Sequence, residues 1–423
     1  MQGMKKLFSS IALLYIALLA LFTVLIIAVH LIPSSAIEPQ FQRSVDIFAA
    51  EGDYPYKSFL GDRVMVDNYT DAYMHNVAYC ADASRPVDAA MRNYRYRDNV
   101  EMNVSMRHLA SGKLLNEPFE YGKYWHGYLV FLRPLLTVMD YGQIRILNGI
   151  ILAALLLVTL VLLARRLSVG VALCLVVSML LVHSAVLAWS LQYSTCYYIA
   201  LVGMIALLGF KGLTATRHRL LLCFFAIGAS TAFFDFLTTP VVTLGLPLTV
   251  VVLLDEKRST LRLVIALCAT WLVGYGLMWA SKWLMAILLA GYNPLEEASN
   301  SIRLQSVGKG NQPVWAFWQK MLDMFAERWS LLSPKGLFRW ALIAVLAVPA
   351  LFAPKGRFAF SRYTALLFVA MLAPLWYFAV ARHSYTHFII TSRTLLVWWF
   401  AVLCFLYQNI DFKKLKSHVS NKS

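Results

Sequence analysis

Ten stretches of this chain run for fifteen residues or more with almost no charge: 7–32, 141–164, 169–188, 196–210, 220–234, 238–254, 261–290, 336–353, 363–380 and 394–408. A bilayer core about 30 Å thick takes about 20 apolar residues per helix, so each stretch is long enough, or nearly so, to cross one. Hydrophobic residues make up 60% of the 423, and charged residues only 14%. A water-soluble fold of this size has no interior able to hide that much apolar surface. The sequence therefore predicts an all-α polytopic membrane protein of about ten transmembrane helices, organised as a single transmembrane domain over residues 1–423.

Basic residues set the orientation. Arg165/Arg166, Lys211/Arg217/Arg219, Lys257/Arg258/Arg262, Lys355/Arg357/Arg362 and Lys413/Lys414/Lys416 fall in alternate connections, on the side of Lys5 and Lys6. The short connections opposite, around 189–195 and 235–237, carry no Lys or Arg. The positive-inside rule then puts both termini in the cytoplasm. The first apolar run is longer than the core of a cleavable signal peptide and reads as a retained span. Segments 33–140 and 291–335 become large extracytoplasmic loops, and 409–423 a basic cytoplasmic tail. In a bacterial cell the membrane would be the plasma membrane. Within the first loop, "YWHGYLVFLRPLL" suits an interfacial helix, with Tyr121, Tyr124, Trp125 and Tyr128 at headgroup level. The net charge of +16 is that of basic loops facing anionic lipid, which argues against a nucleic-acid partner. Six cysteines without CxxC or a Cys/His zinc spacing give neither a disulfide framework nor a zinc site.

Ionisable groups gather at the outer face. Asp67, Asp71 and His75 lie in "VDNYTDAYMHNVAY", where the four-residue spacing of the acids would put both on one side of a helix. His126 and Arg133 flank the aromatic stretch. Asp235, in "TAFFDFLTTPVVTLG", is a lone acid at an apolar boundary. "ARHSYTHFIITSR" carries Arg382, His383, His387 and Arg393. Each group has a plainer reading. The acids would make a solvated face, Asp235 a turn cap, the histidines interfacial side chains, and Arg133 and Arg393 interfacial anchors. Taken together on one face, they suit a site that handles an anionic group with acid–base help. His383 and His387 have the spacing of a metal pair, but no HExxH surrounds them.

This arrangement resembles the GT-C class of integral-membrane glycosyltransferases. The resemblance rests on a first span, a long external loop with "DNYTDAY", its "YWHGYLVFLRPLL" end, closely spaced later spans, and the stretches "FFDFLTTPVVTLGLPL" and "ARHSYTHFIITSR". It implies a sugar donor linked to polyprenyl phosphate or pyrophosphate, and a glycan or glycolipid acceptor at the outer face of the bilayer. It also implies inversion at the sugar carbon. Carried over, Asp67 or Asp71 would take the proton of the acceptor hydroxyl, Asp67 being preferred. His126, Arg133, Asp235, His383, His387 and Arg393 would line the substrate and phosphate site. Many members carry an adjacent acidic pair behind the first span. Here Glu38, Asp46, Glu51 and Asp53 stand apart from one another, so the base stays open. A displaced phosphate needs cations to steady its charge. A divalent cation could share that task, although no ligand set marks one.

Competing readings are a lipid-linked polysaccharide polymerase or ligase, a transporter or flippase of a lipid-linked or anionic substrate, and a non-enzymatic assembly partner. The spans hold almost no mid-membrane acids, which weighs against ion-coupled transport.

Overall fold

The computed structural model describes residues 2–59, 62–98, 101–255, 260–306, 314–328 and 334–415. Lys257, Arg258 and the tail from Lys416 onward lie outside the described residues, as do parts of 291–335. The first half of the chain gives α1 (Gln2–His30), α2 (Ser34–Glu51), the hairpin β1 (Tyr56–Phe59) and β2 (Asp62–Met65), α3 (Asn68–Tyr79), α4 (Pro86–Arg92), α5 (Met102–Ser111), α6 (Leu129–Leu135), α7 (Tyr141–Arg166), α8 (Val169–Leu181) and α9 (Leu191–Gly209). The second half gives α10 (Lys211–Thr214), α11 (Arg217–Phe234), α12 (Val241–Leu254), α13 (Thr260–Ala290), α14 (Leu295–Ser306), α15 (Val314–Arg328), α16 (Pro334–Phe352), α17 (Arg357–Ala379), α18 (Ala381–Thr386), α19 (Phe388–Thr391) and α20 (Leu395–Gln408). The hairpin is antiparallel, with Tyr56 opposite Met65.

A helix lies at each of the ten apolar stretches. Among the described residues, five are long and apolar enough to cross a membrane: Lys5–His30, Tyr141–Arg166, Leu191–Gly209, Leu261–Ala290 and Phe388–Gln408. The apolar helices Val169–Leu181, Val241–Leu254, Arg339–Phe352 and Tyr363–Ala379 are shorter. This mostly helical architecture fits an all-α membrane protein. Outward-facing apolar side chains agree, with Phe8, Leu13 and Ile16 each more than half exposed on α1, a surface that water would not tolerate over such a length.

Local chemistry starts and joins the helices. Asp140 and Gln143 form a reciprocal capping box at the start of α7, satisfying two of the amides a helix leaves unpaired. Every residue of α12 from Val241 to Leu253 is buried, so this helix, apolar all round, sits at the centre. Helices α11 and α13 meet backbone to backbone. A Cβ on Gly228 would lie 2.1 Å from the Trp271 carbonyl oxygen, and one on Gly274 would lie 2.3 Å from that of Phe225. Small residues permit this approach, and dispersion over the whole contact rewards it.

Segment 33–140 packs over one end of the bundle. There, α2 contacts α5, α3 and α7, and α4 contacts α13 and α1. The expected interfacial helix is corrected: only Leu129–Leu135 of that stretch is helical. His126 takes a left-handed backbone, φ 54°. Gly127 N–H donates to the Phe233 carbonyl, with a gap too tight for a Cβ. Tyr124, Trp125 and Tyr128 are buried, because they bind the loop to the bundle; Trp125 Nε1 donates to Met278 O at 2.7 Å.

Candidate functional site

The acids of "VDNYTDAY" are not a solvated face. Asp67 is 3% exposed and Asp71 0%. Nor do they share one helical face, since Asp67 is the N-cap of α3 and only Asp71 lies within it. Asp67 Oδ1 accepts from Thr70 N–H at 2.9 Å, and Oδ2 accepts from Thr70 Oγ1 at 2.8 Å and from Gln192 Nε2. Its backbone N–H donates to Ser190 Oγ at 3.3 Å.

Asp71 reaches a different helix. Its carboxylate accepts from the first two amides of α9, Leu191 at 2.8 Å and Gln192 at 3.0 Å, and from the Tyr141 hydroxyl at 2.8 Å. These are the orphan donors of a helix N-terminus, where the backbone dipole favours negative charge. Hydrogen bonds to a charged acceptor contribute about 1.5–3 kcal/mol each, so Asp71 fixes the start of α9 against the loop. Tyr141 also donates to Asn68, which in turn donates to Glu51, and Glu51 is held by both guanidinium nitrogens of Arg145 at 2.8 Å. Burial pushes the Asp71 carboxyl up to about 7, against the pull of its donors. Burial raises Asp67 as well, against its Thr70 and Gln192 bonds and the nearby His387.

Three residues of "ARHSYTHFIITSR" join this corner. His387 is half-buried and interacts electrostatically with Asp67. Burial lowers its proton affinity, while Asp67 restores part of it. The His383 ring lies 4.8 Å from that of His387. His383 Nε2 donates to Leu237 O at 2.8 Å, and its buried Nδ1 has no partner among the described residues. Buried Arg393 lies 4.4 Å over the Tyr193 ring and donates to the Tyr193 hydroxyl at 3.0 Å and to Ile389 O. Its Nε has no partner among the described residues.

Asp235 takes the turn-cap role. It ends α11 and accepts from Leu237 N–H at 2.9 Å, Thr238 N–H at 3.0 Å, and the Thr238 hydroxyl. Leu237 carries φ 78°, a strained value for a leucine. The Asp235 turn and the His383 bond to Leu237 O together hold that geometry.

His126 and Arg133 do not form one cluster. His126 is buried between Tyr121 O, to which Nε2–H donates at 3.1 Å, and the Tyr128 hydroxyl, 3.0 Å from Nδ1. Burial holds its pKa well below the usual range, and its two bonds make the ring a brace for the loop. Arg133 donates to Val29 O at 2.9 Å and to Ala78 O and Ile32 O. Those carbonyls belong to the chain at the ends of α1 and α3. The guanidinium thus clamps two helix C-termini, which favour a cation, and does not face the acid corner.

Several residues of the site escaped the sequence reading. Gln192 bridges Asp67 and the α9 terminus, Tyr141 bonds Asp71 from the head of α7, and Tyr193 accepts from Arg393. The polar run "SLQYST" at the head of a short apolar stretch was an available signal. Lys282 also went unremarked. It is buried in the last third of α13, donates to Ala90 O at 2.8 Å, and lies 5.5 Å over the Trp125 ring. A lone Lys inside an apolar run was its signal.

A groove of about 830 Å³ runs beside this corner, lined by α6, α7, α9 and α11, from Met74 and Leu191 to Ala206 and Leu213. Along α9 that is about 22 Å at 1.5 Å per residue. Its walls are mostly apolar, with Asn148, Tyr198 and Ser230 among the lining, and near the head the Ser194 and Thr195 hydroxyls lack partners among the described residues. The groove and Arg393 lie on opposite flanks of α9. Asp71, bonded to the amide of groove-lining Leu191, stands at the helix start between them. Among the described residues no three His, Cys, Asp or Glu side chains converge as a metal site. No family model, curated protein or solved structure matches the chain.

Proposed function

We propose that this protein transfers a sugar from a polyprenyl-phosphate-linked donor to a hydroxyl of a cell-surface glycan or glycolipid. The spans would number about ten, the termini would be cytoplasmic, and the site would face outward from the plasma membrane. One observation carries the reading: an apolar groove long enough for the first few isoprene units of a polyprenyl chain has its head at the start of α9, where Asp71 is bonded, and Asp67, His387 and Arg393 gather around that helix start on its other flank. Such a corner suits a reaction that releases an anion at the head of a lipid.

Each side chain then has a task. Asp67 takes the proton of the acceptor hydroxyl as its oxygen attacks the sugar carbon. Burial raises its proton affinity, which suits a general base. His387 faces it and tunes its charge. Arg393, with Nε uncommitted, steadies the phosphate that leaves with the bonding electron pair. Asp71 and Gln192 are positioning residues that fix the α9 terminus. Asp235 and His383 hold the Leu237 turn. Of the residues expected to line the site, His126 and Arg133 fall instead to bracing the loop and clamping helix ends.

The test is incubation of the purified protein in lipid with sugar-charged polyprenyl phosphates and candidate acceptors, comparing wild type with Asp67→Asn. The reading requires donor consumption with a glycosylated product. Movement of the donor across the bilayer without turnover would favour a flippase instead.

A further inference from the structure

Arg95 differs from Arg92, Arg145 and Arg133. Arg92 is paired with Asp88 and Glu120, Arg145 with Glu51, and Arg133 with three carbonyls. The Arg95 side chain makes no hydrogen bond or ion pair among the described residues, and its Nε is buried without a partner. Its backbone is pinned, because it exchanges two hydrogen bonds with Phe119, at 2.9 and 2.8 Å. The guanidinium carbon then lies 4.2 Å from the centre of the Tyr121 ring, 4.4 Å from that of Phe119 and 4.9 Å from that of Tyr73. Ring faces attract a cation but supply no acceptor in the plane of its N–H groups. A rigid, half-buried fork of donors is therefore left uncommitted.

The surroundings suggest what would meet it. Tyr69 interacts electrostatically with Arg95. The Tyr69 ring stacks in parallel on that of Tyr54, centres 5.9 Å apart and planes 9° apart. Tyr54 is 46% exposed and senses the charge of Asp67. The stacked Tyr54 and Tyr69 rings thus lie within electrostatic reach of Asp67 at one end and Arg95 at the other. The nearby acid Glu297 is bonded to Lys123 at 3.1 Å and acts on Arg95 electrostatically without a hydrogen bond to it. The apolar groove has its head at Leu191 and Met74 and does not include these residues.

We propose that Arg95 binds an anionic group, a carboxylate or a phosphate, on a sugar of the acceptor, whose ring lies against Tyr54 and Tyr69. Calling this sugar the acceptor rests on the transferase reading; the binding itself does not. Paired N–H donors of arginine match both anions, and charge-assisted bonds there are stronger than neutral ones. Flat aromatic side chains give the sugar a rigid platform at low entropic cost.

Isothermal titration of the full chain in zwitterionic nanodiscs would test this, using tetragalacturonate, a maltotetraose bearing a 6-phosphate, and plain maltotetraose. Wild type should bind at least one charged oligosaccharide about tenfold or more tightly than the neutral one, and the arm that binds identifies the anion. Arg95→Gln should erase that preference and Arg95→Lys should keep part of it. If Arg95→Gln does not fold, the partial preference of Arg95→Lys decides. Equal binding of all three sugars by wild type, no binding of any, or an undiminished preference in the variants would overturn the proposal. Polyprenyl phosphate titrated into the same preparations separates the two ideas: its failure to bind wild type would count against the transferase reading alone.

Discussion

Replacing Arg133 by Met separates a helix clamp from a phosphate holder. The substitution keeps the length and apolar stem but removes the donors to Val29 O, Ile32 O and Ala78 O. A buried acceptor left without a partner costs about 1–3 kcal/mol; Val29 O keeps the Ile32 N–H, so the Ile32 and Ala78 carbonyls together cost about 2–6 kcal/mol. Removing a buried charge returns part of this. Burial lowers the Arg133 pKa only to about 10, so the charge is present at neutral pH and its desolvation is a real term. A net loss of about 3–5 kcal/mol follows, the usual scale for breaking a buried charged contact. Smaller domains lose about 2–4 °C per kcal/mol, and a chain of this size less, so the midpoint should fall by about 5 °C. Thermal unfolding in detergent, followed by tryptophan fluorescence, reads the shift, and binding of polyprenyl phosphate to the folded fraction should be unchanged. An unaltered midpoint with weakened phosphate binding would refute the clamp and return Arg133 to the site.

Other substitutions probe the remaining elements. Gly228→Ala should destabilise by about 1–3 kcal/mol through overpacking, because its Cβ would meet the Trp271 backbone; thermal unfolding checks it. Asp71 has a pH signature: its carboxyl rises from 3.8 to about 7 on folding. The folded chain therefore holds more protons than the unfolded one between those values, and the contribution is full below pH 3.8 and declines toward pH 7. The wild-type midpoint should drop across pH 5–7, and that of Asp71→Asn should drop less. Arg393→Lys should keep the charge but lose the planar fork, lowering transfer by about 10²-fold with little change in unfolding midpoint.

The helices were legible because an apolar run of bilayer length has few alternatives. Their starts were legible where the signal is local, as with Asp140 and Gln143 before α7. The start of α9 was set too late, at Cys196 instead of Leu191, because polar "LQYST" reads as a loop until Asp71 is known to cap it. That cap comes from 120 residues earlier, a separation no periodicity reveals. Burial of Asp67 and Asp71 was hidden for the same reason: an i,i+4 acidic pair looks the same on a solvated helix. Sequence shows the charge of Arg133, which suits a phosphate ligand or an interfacial anchor, and not the three carbonyls that use it. The "YWHGY" stretch was amphipathic enough for a helix, but a left-handed His126 and the Gly127–Phe233 contact are tertiary facts. The turn role of Asp235 was visible from "DFLTTP", whose acid and threonine sit at turn spacing.

The central claim is sugar transfer with Asp67 as base, and its most direct measurement is turnover of a sugar-charged polyprenyl phosphate by Asp67→Asn beside wild type. Wild type should form glycosylated acceptor, and the variant should fold but react about 10²–10⁴-fold more slowly, the range of a lost general base. A folded Asp67→Asn variant that consumes donor at the wild-type rate would contradict the account.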